Sequence, residues 1–154
     1  MAMDPEISND DRPLDRSAVR GAVAEFPERL ALAIRRVAVG AVPDGEWSPA
    51  EILRHLIAVE DEVWHARLRQ LAAEDGPRWA STEPDRWLKR PDAELVDLHA
   101  VMAARRSETV AMVDRLDDAG WARSGIHERY GVLDVAGLLA LMIDHDEEHL
   151  ASLD

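Results

Sequence analysis

The chain has 154 residues, of which 47% are hydrophobic and 32% are charged, a composition typical of one globular domain. Its 31 acidic and 18 basic residues give a formal net charge of −13, which disfavours nucleic acid and anionic membrane surfaces as partners. The absence of cysteine excludes disulfides, thiolate metal ligands and cysteine nucleophiles.

The first sixteen residues are polar and acidic and lack the apolar stretch of a secretory signal. No segment approaches the ~20 consecutive apolar residues of a membrane span. We therefore expect a cytoplasmic protein, with a flexible acidic tail over residues 1–16 and a single domain over residues 17–154.

Apolar residues recur at helical spacing over residues 17–42, which predicts a first helix. Pro27 lies inside this stretch. Because proline lacks a backbone donor and clashes with the preceding turn, we expect a kink or two abutting helices there.

A second helix is predicted from Pro49 to about Glu74. Ser48 suits the N-cap, Pro49 suits the first helical position, and Glu51 completes a capping box. The apolar stripe expected to face the core is Ile52, Leu56, Val59 and Val63.

Residues 76–91 contain three prolines and no sustained periodicity, which indicates a long crossover connection packed by its own aromatics, Trp79 and Trp87. A third helix is expected from an N-cap at Asp92 to about Asp118, with Gly120 marking its end. Its apolar residues are expected inward and its many charges outward. A turn-rich loop follows.

The last helix is predicted over residues 135–153, with Asp134 as its N-cap. Strand-like alternation extends over no more than a few residues. Four helices of roughly 20–27 residues therefore predict an all-α four-helix bundle, with the long crossover connection between helices 2 and 3.

Two histidines interrupt the apolar stripe of the last helix. His145 and His149 are four residues apart, so their rings lie on one face and can converge on one ion. Asp146 follows the first histidine, where a zincin helix has glutamate, and offers a shorter arm for a general base. We expect the third ligand from elsewhere in the bundle.

His55 is the candidate third ligand, because it lies on the inward stripe of the second helix between Ile52 and Val59. Three imidazoles leave a coordination position open, as in catalytic sites, and suit Zn, Ni, Fe or Mn. Glu51 and Glu62 flank His55 and are candidates for a hydrogen-bond partner or an extra ligand.

The alternative is that the three histidines lie at the edge of the core and are hydrogen-bonded to carboxylates. His65, His99 and His127 fit the metal pattern less well, and we expect them to be structural or solvated. The five tryptophans are expected to pack in the core and loops.

The segment from Trp47 to Leu56, followed by Glu60, resembles the second-helix signature of the DinB/YfiT-like superfamily. The last helix with His145-Asp146 and His149-Leu150 is similar to that family's final helix, and Arg106-Ser107-Glu108-Thr109 resembles its third-helix consensus. The resemblance implies a four-helix bundle, often dimeric, in which His55, His145 and His149 bind a divalent metal. Characterised relatives include S-transferases that use bacillithiol or mycothiol, a mycothiol-dependent maleylpyruvate isomerase, and the thiol-handling part of ergothioneine biosynthesis enzymes.

The chemistry expected of such a site follows from its open position, where a metal lowers the pKa of a water or a thiol. Together with the resemblance, this chemistry predicts a metal-dependent S-transferase or hydrolase that acts on a small molecule, and the resemblance alone implies a homodimer. Any thiol, such as mycothiol, would come from a cosubstrate because the chain has no cysteine. One alternative is a non-catalytic dimeric bundle that binds metal or a small ligand in stress response, and another is a purely structural bundle.

Overall fold

The computed structural model describes residues 14–37, 42, 45–82, 84 and 92–153. Residues 1–13 of the predicted acidic tail and half of the predicted crossover, including Trp87, lie outside these residues. Within them the elements in chain order are α1 (Arg16–Val37), α2 (Pro49–Val59), a π-helix (Glu60–His65), α3 (Ala66–Ala73), β1 (Arg78–Trp79), α4 (Leu95–Asp114), α5 (Asp118–Ala122), β2 (Ser124–His127), β3 (Gly131–Asp134) and α6 (Val135–Ser152).

Four long helical segments confirm the predicted bundle: α1, the continuous run from α2 through α3, α4, and α6. Helix α1 packs mainly against α4 and α6, and α4 packs in turn against α2 and the π-helix. The predicted stripe of the second helix is buried, as are Leu98, Met102 and Val113 of α4. No helix in the described part of the chain is both long and apolar enough to cross a membrane.

Helix α1 continues through Pro27 as one α-helix, so the expectation of two abutting helices was wrong. Proline has no N–H, which leaves the carbonyl of Val23, four residues earlier, without its helical donor. Arg106 of α4 supplies the donor, with Nη1 3.0 Å from the Val23 oxygen. Helix α1 is described as far as Val37, whereas the predicted helix extends to residue 42. Residues 38–41 are not among the residues that the structure describes.

The second helix begins as predicted. The Ser48 hydroxyl accepts from the Glu51 backbone N–H at 3.1 Å, and the Glu51 carboxylate accepts from the Ser48 N–H at 3.5 Å. The π-helical turn over Glu60–His65 was not predicted. Such a turn inserts extra backbone into a helix and is frequent at functional sites. It alters the phase of the helix, and buried residues on either side of it face the interior.

The predicted ends of the third helix were wrong. Helix α4 starts at Leu95, with Glu94 rather than Asp92 at the N-cap position, and its last residue is Asp114. Gly120 lies inside the short helix α5, where its N–H donates to the Asp117 carboxylate at 2.7 Å. The predicted cap of the last helix is confirmed, because the Asp134 carboxylate accepts from the Gly137 N–H at 2.8 Å.

A small three-stranded sheet joins the connection between α3 and α4 to the connection between α5 and α6. This sheet was not predicted. Strand β1 pairs in parallel with β2, and β2 pairs antiparallel with β3. The strands have two to four residues, too few for a period-two pattern to be recognised. Gly125 of β2 lies against the Trp79 ring, and a Cβ there would be 2.4 Å from Cη2. The sheet therefore needs glycine at this position.

Candidate metal centre

The structure brings together the three histidines named from the sequence. One ring nitrogen from each of His55, His145 and His149 lies within 4.8 Å of the other two. The Nε2 atoms of His145 and His149 are 3.2 Å apart, and the His55 ring centre is 4.9 Å from that of His149. His55 is buried, and the two histidines of α6 are half-buried.

The two histidines of α6 are held in the form that binds metal. Burial, with contributions from His149, His55 and Arg106, lowers the pKa of His145 to about 3. Burial and His55 lower the pKa of His149 to about 4. Both rings are therefore neutral near pH 7, and a neutral imidazole has the lone pair that a divalent ion requires.

The remaining contacts of these rings also fit a metal. Nδ1 of His145 is buried and has no hydrogen-bond partner in the described residues, and Nε2 of His149 is hydrogen-bonded to Nε2 of His145. No carboxylate is hydrogen-bonded to either ring in the described part of the chain, unlike the alternative in which carboxylates hold the histidines. Of the metals expected from the sequence, Zn, Ni and Fe suit imidazole ligands, whereas Mn prefers carboxylate oxygens.

A buried ion network lies next to this cluster. Arg106 is 1% exposed and donates two hydrogen bonds to Glu60, at 2.8 and 3.2 Å, and two to Asp146, at 2.8 and 2.9 Å. Thr109 donates to Glu60 at 2.5 Å, and His65 is hydrogen-bonded to the Thr109 hydroxyl at 2.8 Å. Because Asp146 directly follows His145, these bonds hold α6 in place beside the site.

The charges in the network have opposed effects on one another. Burial raises the pKa of Asp146 to about 6, although the hydrogen bonds and charge of Arg106 act to lower it. Burial also acts against the guanidinium charge, but Glu60 and Asp146 outweigh it and keep the pKa of Arg106 above its usual value. The carboxylates therefore hold Arg106 charged at any pH the protein tolerates.

Two sequence-based interpretations need correction, and a third stays open. Asp146 is 3% exposed and bonded to Arg106 through both oxygens, so it is not placed as a general base. Glu62 is exposed on the outside of the π-helix. Glu51 uses Oε1 in the capping box of α2, and its role beside His55 stays a prediction.

The sequence interpretation missed Glu60, Arg106 and Thr109 as buried polar residues. The charges of α4 were expected outward, yet Arg106 and Thr109 are 1% and 0% exposed. Their positions carry a recognisable signal, because Met102, Arg106, Thr109 and Val113 follow one another at spacings of four, three and four residues. The histidines were identified because they are polar residues within an apolar stripe. The same criterion would have identified Arg106 and Thr109.

The other three histidines have separate surroundings. His65 is buried against Thr109, and His99 is hydrogen-bonded to the Pro27 carbonyl at 2.7 Å. His127 is buried in β2, and its Nδ1 accepts backbone N–H groups from Arg129 at 3.0 Å and Tyr130 at 3.3 Å. Burial, and then the charge of Arg67, lowers the pKa of His127.

Two cavities border the cluster. One, of about 360 Å³, is lined by His55 and His145 together with residues of α3 and the sheet, including Arg67 and His127. The other, of about 510 Å³, is lined by His149, Trp47 and Ile52. The cluster is therefore accessible to small molecules and has room for a ligand beside it.

Comparison with known proteins agrees with this architecture. A family model described as the DinB superfamily matches residues 14–153. A protein from Oceanobacillus iheyensis named "putative metal-dependent hydrolase" is 25% identical over 112 residues, which cover 71% of this chain and 64% of that protein. The match thus spans less than two thirds of the relative's length.

A solved structure has the same fold. YfiT from Bacillus subtilis, described as "a probable metal-dependent hydrolase with an unusual four-helix bundle topology", superposes with a TM-score of 0.70 at 17% identity. The alignment covers 99% of this chain and 89% of YfiT. Because the family model spans nearly the whole chain and the bundle is shared, the protein belongs to the DinB superfamily.

Proposed function

We propose that His55, His145 and His149 bind one divalent metal ion and that the protein is a metal-dependent hydrolase of small molecules. The observation that carries the proposal is the convergence of three imidazole nitrogens within 4.8 Å of one another at the border of a cavity. The descriptions of the Oceanobacillus protein and of YfiT support hydrolysis as the reaction.

The residues around the site would have separate roles in this reaction. A divalent ion held by three imidazoles keeps a coordination position open and lowers the pKa of a water or thiol that binds there. His145 and His149 supply neutral nitrogens, and the bonds from Arg106 to Asp146 hold the α6 backbone beside them. The 360 Å³ cavity has the volume of a small-molecule site.

The same open position supports a second reaction. The family resemblance implies thiol-dependent S-transfer, in which a cosubstrate such as mycothiol would take the place of water. The cosubstrate would have to supply the thiol, because the chain has no cysteine. The homodimer and the cytoplasmic location stay predictions of the sequence.

Metal content tests the site directly. We would purify the protein without a His tag and measure bound metal by plasma mass spectrometry, before and after loading with Zn or Ni. Wild type should bind one equivalent, and His55→Ala and His145→Ala should each lose it. His99→Ala is the matched control, because His99 is also a half-buried helical histidine but lies outside the cluster. Wild-type protein that cannot be loaded would refute the site.

Turnover tests the reaction. Metal-loaded protein should hydrolyse members of a panel of activated esters and amides, and chelation by EDTA should abolish the activity. Acceleration only when a thiol and an electrophile are supplied would replace hydrolysis by S-transfer. Stoichiometric metal without turnover on either panel would favour the non-catalytic binding protein.

A further inference from the structure

Arg67 is a buried cation with no carboxylate partner in the described part of the chain. It lies in α3, is 6% exposed, and its guanidinium carbon is 5.9 Å from the ring centre of Trp64 and 5.4 Å from that of Trp79. Nη2 donates to the Ala80 carbonyl at 3.1 Å. Burial without a counter-charge lowers the pKa of Arg67.

This arrangement is unlike that of the other buried arginine. Arg106 has two carboxylates within hydrogen-bond distance, as buried charges normally require. Among the described residues, Arg67 has only the Ala80 carbonyl as a hydrogen-bond partner, although acidic residues outnumber basic ones in the chain. A buried charge left without its counter-ion is costly, and such groups concentrate at functional sites.

The position of Arg67 connects it with the candidate metal centre. Arg67 lines the same cavity as His55 and His145. His127 lines it as well, and because Nδ1 of His127 accepts two backbone N–H groups, its neutral ring carries the proton on Nε2 and has a donor to offer. The acids of this cavity wall, Asp144 and Glu148, are exposed and do not pair with Arg67.

We propose that Arg67 binds a carboxylate group of the substrate, so that this site acts on small molecules carrying a carboxylate near the bond that is broken. The reaction itself rests on the proposed function, whereas carboxylate binding by Arg67 is a separate property of the cavity. One guanidinium neutralises the single negative charge of a carboxylate, whereas a phosphate dianion would leave one negative charge uncompensated beside the buried arginine.

The binding test uses metal-free, ¹⁵N-labelled full-length protein, so that it does not depend on a metal. We would titrate propionate, its neutral analogue propionamide, and inorganic phosphate, and follow the arginine Nε–H and tryptophan indole N–H signals by NMR. Propionate should bind wild type about tenfold more tightly than propionamide. Arg67→Gln should remove this preference, and Arg129→Gln, which changes an exposed arginine at the same cavity, should retain it.

Three results would overturn the proposal: equal binding of propionate and propionamide, a preference that survives in Arg67→Gln, or tighter binding of phosphate. If Arg67→Gln does not fold, Arg67→Lys decides. Lysine keeps the positive charge but lacks the planar guanidinium group. This variant should therefore still bind propionate more tightly than propionamide, but by a smaller factor than wild type.

A kinetic test separates this inference from the proposed function. With metal-loaded protein we would compare the 4-nitrophenyl monoester of succinate with 4-nitrophenyl butyrate. The ratio of their kcat/KM values should fall about tenfold in Arg67→Gln. If neither ester is hydrolysed but propionate still binds through Arg67, the hydrolase proposal fails and the carboxylate site stands.

Discussion

Replacing Arg106 by methionine should strongly destabilise the protein, because it leaves Glu60 and Asp146 buried without their counter-charge. These carboxylates are 1% and 3% exposed, and each loses two hydrogen bonds. The Val23 carbonyl loses its donor as well, and Pro27 has no N–H to replace it.

The expected cost follows from what is removed. Taking away one partner of a buried ion pair costs about 3–5 kcal/mol. Because one substitution strips two carboxylates here, we expect the upper part of this range, about 4–5 kcal/mol. For a domain of this size, each kcal/mol lowers Tm by about 2–4 °C, so Tm should fall by roughly 8–20 °C.

Urea unfolding of the metal-free protein, followed by circular dichroism, measures this cost without a contribution from metal binding. Arg105→Met is the matched control, because Arg105 is the preceding residue and pairs with the partly exposed Asp61 at 2.8 Å. That pair is worth at most about 1 kcal/mol. Adding Glu60→Gln and Asp146→Asn to Arg106→Met should recover part of the loss, since the buried charges are removed together. A loss no larger than that of Arg105→Met would refute the reasoning.

Three further predictions concern stability. Ser48→Ala should lower the free energy of unfolding by about 1 kcal/mol through loss of the capping box, and an unchanged urea midpoint would contradict this. Gly125→Ala should lower the free energy of unfolding by about 1–3 kcal/mol, because its Cβ would overlap the Trp79 ring. Gly21→Ala, in open space on α1, should raise it by about 0.5–1 kcal/mol. Urea unfolding in which both variants change the free energy in the same direction would contradict this. The lowered pKa of His127 means that its contribution to stability is complete above about pH 6.5, its ordinary pKa when unfolded, and is lost as the pH falls towards the folded value. NMR titration should give a midpoint below 6.5, and one at or above it would show that burial does not disfavour the charged ring.

Local features of the sequence were enough to predict most of the helices and the histidine cluster. The caps at Ser48 and Asp134 act within one turn, so they can be recognised without knowledge of the fold. His145 and His149 are one turn apart on α6, and His55 lies on an apolar stripe. Once the apolar residues of a helix are known, the 3.6-residue helical period is enough to predict which of its residues face the core.

The remaining features depend on contacts between distant parts of the chain, which the tertiary structure alone decides. Arg106 meets Glu60 and Asp146 across separations of 46 and 40 residues, and β1 pairs with β2 through backbone groups that any residue possesses. In the described part of the chain, Arg67 contacts the Ala80 carbonyl and the Trp79 ring but no carboxylate, and no local sequence pattern predicts this. Helical period and caps are properties of neighbouring residues. The pairing of buried charges and of strand edges is a property of the packed chain, because it depends on which groups lose water together when the elements meet.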